Sequence, residues 1–401
     1  MFETLSLSKK DILVWIAVLL LVSLCAGATS ALFLHALQWV GEFRESHLWI
    51  IWGLPVAGIL IVYLYKTYGS EANKGNNLLF EKFYRPKTAI PFIMAPLVVV
   101  ATLLTHLFGG SAGREGTAVQ YGATFADYWA NRFQLDKRKQ RIILIAGISA
   151  GFASLFATPL AGAIFAVEMF RMGKIRYTAL IPALLTAYLA HYGCTLFGAP
   201  HTHYPTIQYQ LGFSMDILWA IVVGMLCGLA TRLFVASDYV FSKLFKRIAH
   251  PYLRIVIGSL VIMTAIYLLG TTKHIGLGMS TIVDSFYHAQ NSYDFFVKIL
   301  LTTLTLSIGF KGGEVTPLFF IGATLAAAIA PYIPVPWMVV VAMGFVSVFA
   351  GATKTPLACA VMAAELFGFS VLPIVLLATL AAYFISGKKG IYSAQRNFRI
   401  L

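Results

Sequence analysis

The chain has 401 residues, of which 59% are hydrophobic and 11% charged, and its mean hydropathy is +0.79. Soluble domains carry about 25% charged residues, so this composition excludes an ordinary water-soluble enzyme. The net charge of +14 comes from 30 Lys and Arg against 16 Asp and Glu; its basic residues gather at the ends of apolar blocks, which reads as membrane topology and not as a nucleic-acid patch.

Taken in chain order, Lys9 and Lys10 precede a run of 30 uncharged residues, Ile12 to Gly41. With the small-residue patch Ala26-Gly27-Ala28 this start mimics a secretory signal. The apolar run continues to Val40, too long for a cleaved segment, and predicts a retained transmembrane helix. Uncharged blocks follow at Ser46–Tyr65, Thr88–Gly113, Ile142–Val167, Tyr177–Met215, Ile255–Thr272, Val315–Thr353 and Leu366–Gly387. A helix needs about 20 apolar residues to cross the hydrocarbon, so the blocks predict roughly ten or more crossings and an all-α polytopic membrane protein. No alternating strands argue for a barrel. The clusters Arg132–Arg141, Lys243–Arg254 and Lys388–Arg399 mark cytoplasmic loops by the positive-inside bias, in contact with anionic lipid. Gly198–Gln210 carries no Lys or Arg and reads as external.

Cys25, Cys194, Cys227 and Cys359 lie in or beside apolar blocks without metal or redox spacing and read as packed thiols. The nine His are scattered, with only His201 and His203 near neighbours. No HExxH, GxSxG or P-loop is present. The residues therefore imply no enzyme chemistry, no metal and no cofactor.

The most informative feature is an internal repeat. Thr158–Phe170 (TPLAGAIFAVEMF) and Thr355–Phe367 (TPLACAVMAAELF) share eight of thirteen residues at an offset of 197. Gly113–Thr124 (GREGTAVQYGAT) faces Gly313–Thr324 (GEVTPLFFIGAT) at an offset of 200. We read a single duplicated transmembrane domain over 1–401, with halves at about 10–200 and 201–390. The residues themselves leave the relative orientation of the halves open.

Both breaks have the composition of a helix start that holds an anion. Gly109-Gly110-Ser111-Ala112-Gly113 and Gly312-Gly313 can expose backbone amides, and Pro317 suits a first helical turn. The first amides of a helix have no internal partner, and the helix dipole adds about half a positive charge there. Such an end holds an anion without a full cation in hydrocarbon. Lys74-Gly75-Asn76-Asn77 forms a third break, which by itself reads more readily as a simple turn.

Glu115 stands one residue, Arg114, beyond a run of 26 uncharged residues and opens a candidate half-helix, and Glu314 occupies the matching break, shifted by one place. An ionisable group in the membrane costs about 2.5–3.5 kcal/mol on insertion scales and marks a pathway or relay. Beside unpaired amides, Glu115 acts as a tethered anion that competes with a mobile one, and protonation releases it. That coupling is the minimum device for antiport. The bland alternative is a capping Glu paired with Arg114. Glu168 and Glu365 recur at equivalent repeat positions, which fits a helix-end or packing role.

These residues resemble the CLC family of chloride channels and proton-coupled antiporters over essentially the whole chain. Gly113-Arg114-Glu115-Gly116-Thr117 is similar to the family's GREGP, with Thr117 in place of Pro. Gly313-Glu314-Val315-Thr316-Pro317 is similar to its GxFxP, Pro159–Glu168 to its PLAG block, and Ile391-Tyr392-Ser393-Ala394 to its C-terminal anion-coordinating segment. The usual GSGIP becomes Gly75-Asn76-Asn77-Leu78-Leu79, and Met169 stands where chloride/proton antiporters carry an internal Glu. These departures resemble the fluoride/proton antiporter branch.

The resemblance implies a CLC-type fold of two inverted repeats with broken, half-membrane helices, in a homodimer with one pathway per subunit and no cytoplasmic regulatory domain. It implies that Glu115 is the gating, proton-carrying glutamate, and that Glu314 and Thr316 supply a proton or fluoride route. It further implies that Asn76, Gly113, Gly116, Val315 and Tyr392 line the anion site, with Phe80 and Phe83 as possible pore-lining rings, a role that for these two lipid- or core-facing packing matches at least equally well. Fluoride is strongly hydrated, so backbone amides, Asn76, Thr316, Tyr392 and a protonated Glu314 are suitable donors in place of water. The expected function is export of fluoride in exchange for protons across a bacterial-type cell membrane, conferring fluoride resistance. A passive anion channel and a chloride/proton antiporter of the same fold are the alternatives.

Overall fold

The computed structural model describes residues 9–212 and 215–396. Sixteen α-helices run through these residues. The first eight are α1 (Lys9–Ser46), α2 (Leu54–Tyr68), α3 (Asn76–Tyr84), α4 (Met94–Leu107), α5 (Glu115–Arg132), α6 (Lys137–Phe156), α7 (Pro159–Glu168) and α8 (Leu180–Leu196). The second eight are α9 (Met215–Lys246), α10 (Pro251–Leu269), α11 (Met279–Asp284), α12 (Asp294–Ile308), α13 (Val315–Ile329), α14 (Trp337–Thr353), α15 (Pro356–Phe367) and α16 (Leu372–Ile385). The order of long, medium and short helices is the same in both series. The fold is all-α and of the inverted-repeat, broken-helix type. The C-terminal part of the Lys388–Arg399 cluster, from position 397, lies outside the described residues.

Helix lengths explain the architecture. At 1.5 Å per residue α1 is ~57 Å long and α9 ~48 Å, well beyond a ~30 Å hydrocarbon layer. By the same rise α7 and α15 are only ~15–18 Å long, half a membrane. Each begins with Pro at its first position after a Thr and a left-handed residue, Ala157 at φ 60° and Lys354 at φ 63°. Proline fits there because its missing N–H is one that the helix end leaves unpaired anyway.

Beside the expectation of roughly ten or more crossings, seven described helical segments are long and apolar enough to cross a membrane, and five apolar helices are shorter. Several uncharged blocks contain two elements: Ile142–Val167 holds α6 and α7 across a sharp break, and Val315–Thr353 holds α13 and α14. Hydropathy registers burial in apolar surroundings, and it cannot see a break inside a charge-free run. On α1, the side chains of Leu13, Leu24, Leu32 and Trp39 stand at least 60% exposed, a face suited to lipid.

The two series meet through reciprocal contacts. Gly113 N–H donates to the Gly313 carbonyl at 2.5 Å and Gly313 N–H to the Gly113 carbonyl at 2.8 Å. Glu168 accepts from the N–H of Ala358 (3.0 Å) and of Leu357 (3.4 Å) at the start of α15. Glu365 accepts from Leu160 (2.9 Å) and Ala161 (2.7 Å) at the start of α7. Each carboxylate caps the half-helix of the other series, as a local two-fold relation demands. Inside each series a glycine pair brings two helices into backbone contact. A Cβ on Gly122 would lie 2.2 Å from the Gly147 carbonyl oxygen, and one on Gly322 would lie 2.0 Å from that of Gly344. Small residues at such crossings are how helices approach closely in lipid.

Candidate anion and proton site

Helices α5 and α13 start at the Gly113–Gly313 bridge and run away from it. Their first turns, with unpaired amides and positive dipole ends, therefore converge at the centre of the molecule. Glycine is required at both bridge positions. A Cβ on Gly113 would meet the Glu115 carboxylate at 2.7 Å and the Gly313 carbonyl oxygen at 2.9 Å; one on Gly313 would meet the Gly116 nitrogen at 2.6 Å.

Glu115 is fully buried in this junction. Its Oε2 accepts from the Arg114 N–H at 3.0 Å and from the Thr316 N–H at 3.0 Å, and its Oε1 accepts from the Thr316 hydroxyl. The carboxylate thus occupies the anion position on the N-terminus of α13. Three donors aimed at two oxygens suit the ionised form. Arg114 pairs more weakly, with Nε 3.8 Å from Oε1. The alternative of a Glu satisfied by Arg114 alone is therefore too small: the amide and hydroxyl of Thr316, 201 residues away, contribute two of the three hydrogen bonds.

The other candidate positions fall around this junction with different geometry. Gly113 does not offer an anion its amide, because Gly313 already takes that N–H. Gly116 faces Gly313 across the bridge. Val315 opens α13 and is buried. Glu314 is the residue before it, and its side chain does not cap the helix. Thr316 spends both its amide and its hydroxyl on Glu115. Thr117, in the place of the family's Pro, exchanges a 2.7 Å hydrogen bond with Thr102 on α4.

The third break is a helix start rather than a simple turn. Gly75 adopts φ 56° and ψ −136°, a conformation open to glycine, and α3 begins at Asn76. Asn76 Oδ1 accepts from Gln120 Nε2 at 3.2 Å, which turns the Asn76 amide nitrogen toward the start of α5. Gln120 was not marked by the sequence reading; a buried amide on the inner face of a helix gives no signal without its partner.

Tyr392 is 6% exposed, and its ring lies 5.4 Å from that of Phe80, which meets Phe170 edge-on at 5.2 Å. Its segment is pinned by Ile391 N–H on the Ala352 carbonyl (2.9 Å) and by Gln395 Nε2 on the carbonyls of Met169 (2.7 Å) and Thr353 (3.0 Å). The phenol is within electrostatic range of both Glu115 and Glu314. Phe83 instead stacks on Phe170 at 4.0 Å and carries the Arg176 guanidinium over its ring. It is a core aromatic, joined to Tyr392 only through Phe80 and Phe170. Phe170 is a further member of this cluster that the sequence reading did not single out.

Two cavities with no lining residue in common approach the junction. A smaller one of about 380 Å³ is lined by Arg44, His106, Arg114 and Lys273 and bordered by Thr202 of the loop without Lys or Arg. A larger one of about 900 Å³ is lined by Tyr392, Arg232, Asp238, Lys246, Lys388 and Lys389 among others. Arg114, at the wall of the first, and Tyr392, at the wall of the second, bracket Glu115. The smaller lining mixes Arg44, Arg114 and Lys273 with Glu42 and Glu45, whereas the larger is rich in cations, which concentrates small anions at its mouth.

Residues 57–387 match the family described as voltage gated chloride channel. A chloride/fluoride channel protein of Pseudomonas syringae pv. tomato is 44% identical over 392 residues, 95% of this chain and 86% of the relative. The crystal structure of a CLC-type fluoride/proton antiporter superposes with a TM-score of 0.94 at 37% identity, covering 98% of this chain and 100% of that one. A slow cyanobacterial Cl⁻/H⁺ antiporter shares the fold, with a TM-score of 0.81 at 20% identity over 95% of this chain and 96% of that one. On the match over most of its length, the chain belongs to the voltage-gated chloride channel (CLC) family.

Proposed function

We propose that the protein is a secondary active transporter that exports fluoride in exchange for protons. One observation carries this reading: the Glu115 carboxylate sits on the Thr316 amide and hydroxyl, at the start of α13, between two cavities. A carboxylate held by anion-binding donors excludes a mobile anion from them. Once protonated it loses its charge and its hold on those donors, and fluoride takes its place. Proton uptake and anion occupancy are thereby tied to one site. Thr316, Asn76 and Tyr392 supply donors along the route, with Gly116 and Val315 shaping its walls, and Glu314 carries the proton between Glu115 and the larger cavity. The likeness to a fluoride/proton antiporter supports fluoride as the anion.

By the positive-inside bias the larger, Lys-rich cavity faces the cytoplasm and the smaller faces out. In this reading the two halves, about 10–200 and 201–390, form one duplicated domain in the cell membrane. Two copies associate as a homodimer, each with its own pathway, and fluoride resistance is the cellular result.

The test is flux in proteoliposomes. An imposed fluoride gradient is expected to drive protons uphill, and Glu115→Ala to abolish that coupling while an anion path persists. Fluoride movement by the unaltered protein without any proton movement shows a passive channel instead. A chloride gradient in place of fluoride separates the chloride/proton alternative.

A further inference from the structure

The larger cavity poses a question that the Glu115 site leaves unanswered. A proton leaving Glu115 for the cytoplasmic side passes from a dry junction into a mouth lined by Arg232, Lys246, Lys388 and Lys389. Four cations repel a hydrated proton. Met169, buried behind the junction, cannot help, since a thioether does not titrate. Among the described residues lining this cavity, one carries a carboxylate: Asp238 of α9.

We propose that Asp238 is the proton-transfer group at the inner mouth, accepting the proton from Glu314 and releasing it to cavity water. This rests on the antiport reading above. Three observations support it. Asp238 shares a cavity-facing stripe of α9 with Val235, Ser242 and Lys246, at the 3–4 residue spacing of one helix face. Its carboxylate makes no hydrogen bond or ion pair with any described residue, so it is left to water, the partner that a relay needs. It also lies within electrostatic range of Glu314, which in turn interacts with Glu115, and α9 packs against α13, whose first turn follows Glu314.

The charged and titratable groups around Asp238 are Lys246 and Arg232 on its own helix, Glu314 before α13, and Tyr239, Lys388, Lys389 and Tyr392 around the cavity. The step is a plain proton transfer: the Glu314 carboxylic acid loses its proton through an intervening water, Asp238 gains it, and Asp238 passes it to bulk water. Fluoride is drawn in by the cations of the same mouth, so one cavity serves both ions with different side chains.

Variants of Asp238 and of one cavity lysine test this in proteoliposomes, with fluoride and proton fluxes recorded together. Asp238→Asn is expected to lower the number of protons moved per fluoride several-fold, and Asp238→Glu to restore it. Lys388→Met changes the potential of the mouth at a residue on another segment from Asp238; it is expected to raise the KM for fluoride at an unchanged ratio. Asp238→Ser replaces Asp238→Asn if the latter does not insert. An unchanged ratio in Asp238→Asn, or a change in fluoride KM alone, overturns the assignment, as does loss of coupling in Asp238→Glu. Failure of the unaltered protein to pump protons would instead sink the antiport reading, so the two failures are distinguishable.

Discussion

Thr316 and Glu115 show how much a single contact can decide. Thr316 gives Glu115 both a backbone and a side-chain donor, and the two are separable by mutation. Thr316→Val keeps the amide and the shape but removes the hydroxyl. A hydrogen bond to an ion is worth about 1.5–3 kcal/mol, so fluoride that uses the same donors is expected to bind about tenfold more weakly or worse. Flux measured against fluoride concentration reads this as a raised KM. Gln120→Leu leaves Asn76 Oδ1 without its donor and frees the amide to rotate, and a smaller rise in KM is expected. Conversely, Glu168 and Glu365 are carboxylates in the membrane with a structural task. Each satisfies two amides of a half-helix start, and Glu365→Gln is expected to cost about 0.5–2 kcal/mol of stability with the proton-to-fluoride ratio unchanged. Thermal unfolding in detergent, beside the flux ratio, checks both halves of that statement.

Among the helices, the glycine contacts set the geometry on which the site depends. At Gly322, a Cβ meets the Gly344 backbone rather than a flexible side chain, and nothing nearby can give way. Gly322→Ala is therefore expected to destabilise the protein by about 1–3 kcal/mol through overpacking, and Gly122→Ala likewise. Gly193, within α8, has open space at the same position and a helical backbone. Gly193→Ala is expected to be neutral or to stabilise by up to about 1 kcal/mol, since alanine loses less freedom on folding. Melting temperatures of the three variants, compared side by side, separate close approach from simple helix propensity. The same crossings hold α5 and α13 so that their first turns converge. A displacement there shifts the donors around Glu115, and catalytic geometry of this kind is lost within about 1 Å.

For the molecule as a whole, the two cavities and the buried acid between them give the proposed transport a direction of response to pH. In the proposed mechanism ionised Glu115 closes the site and protonated Glu115 opens it. Acidifying the outer solution at fixed inner pH and fluoride therefore raises the protonated fraction reached from outside and is expected to speed fluoride efflux. In Glu115→Gln, which cannot ionise, this response to outer pH is expected to vanish. An electrode trace of efflux across a series of outer pH values makes the comparison.

The apolar blocks, the basic clusters at their ends and the two repeated motifs were legible in the sequence because they are local patterns. Periodicity and charge record whether a residue meets lipid, protein or water, and a carboxylate just beyond a run of 26 uncharged residues is conspicuous without any partner. Glu115 could be singled out on that ground, and so could the glycine-rich breaks. What the tertiary structure alone decided is which break meets which: Glu115 on Thr316, Glu168 on α15, Glu365 on α7, and Asn76 on Gln120. These partners stand 44 to 205 residues apart, where no local pattern constrains them. They are joined by the way the two halves pack on each other, through glycines whose missing side chains let backbone touch backbone.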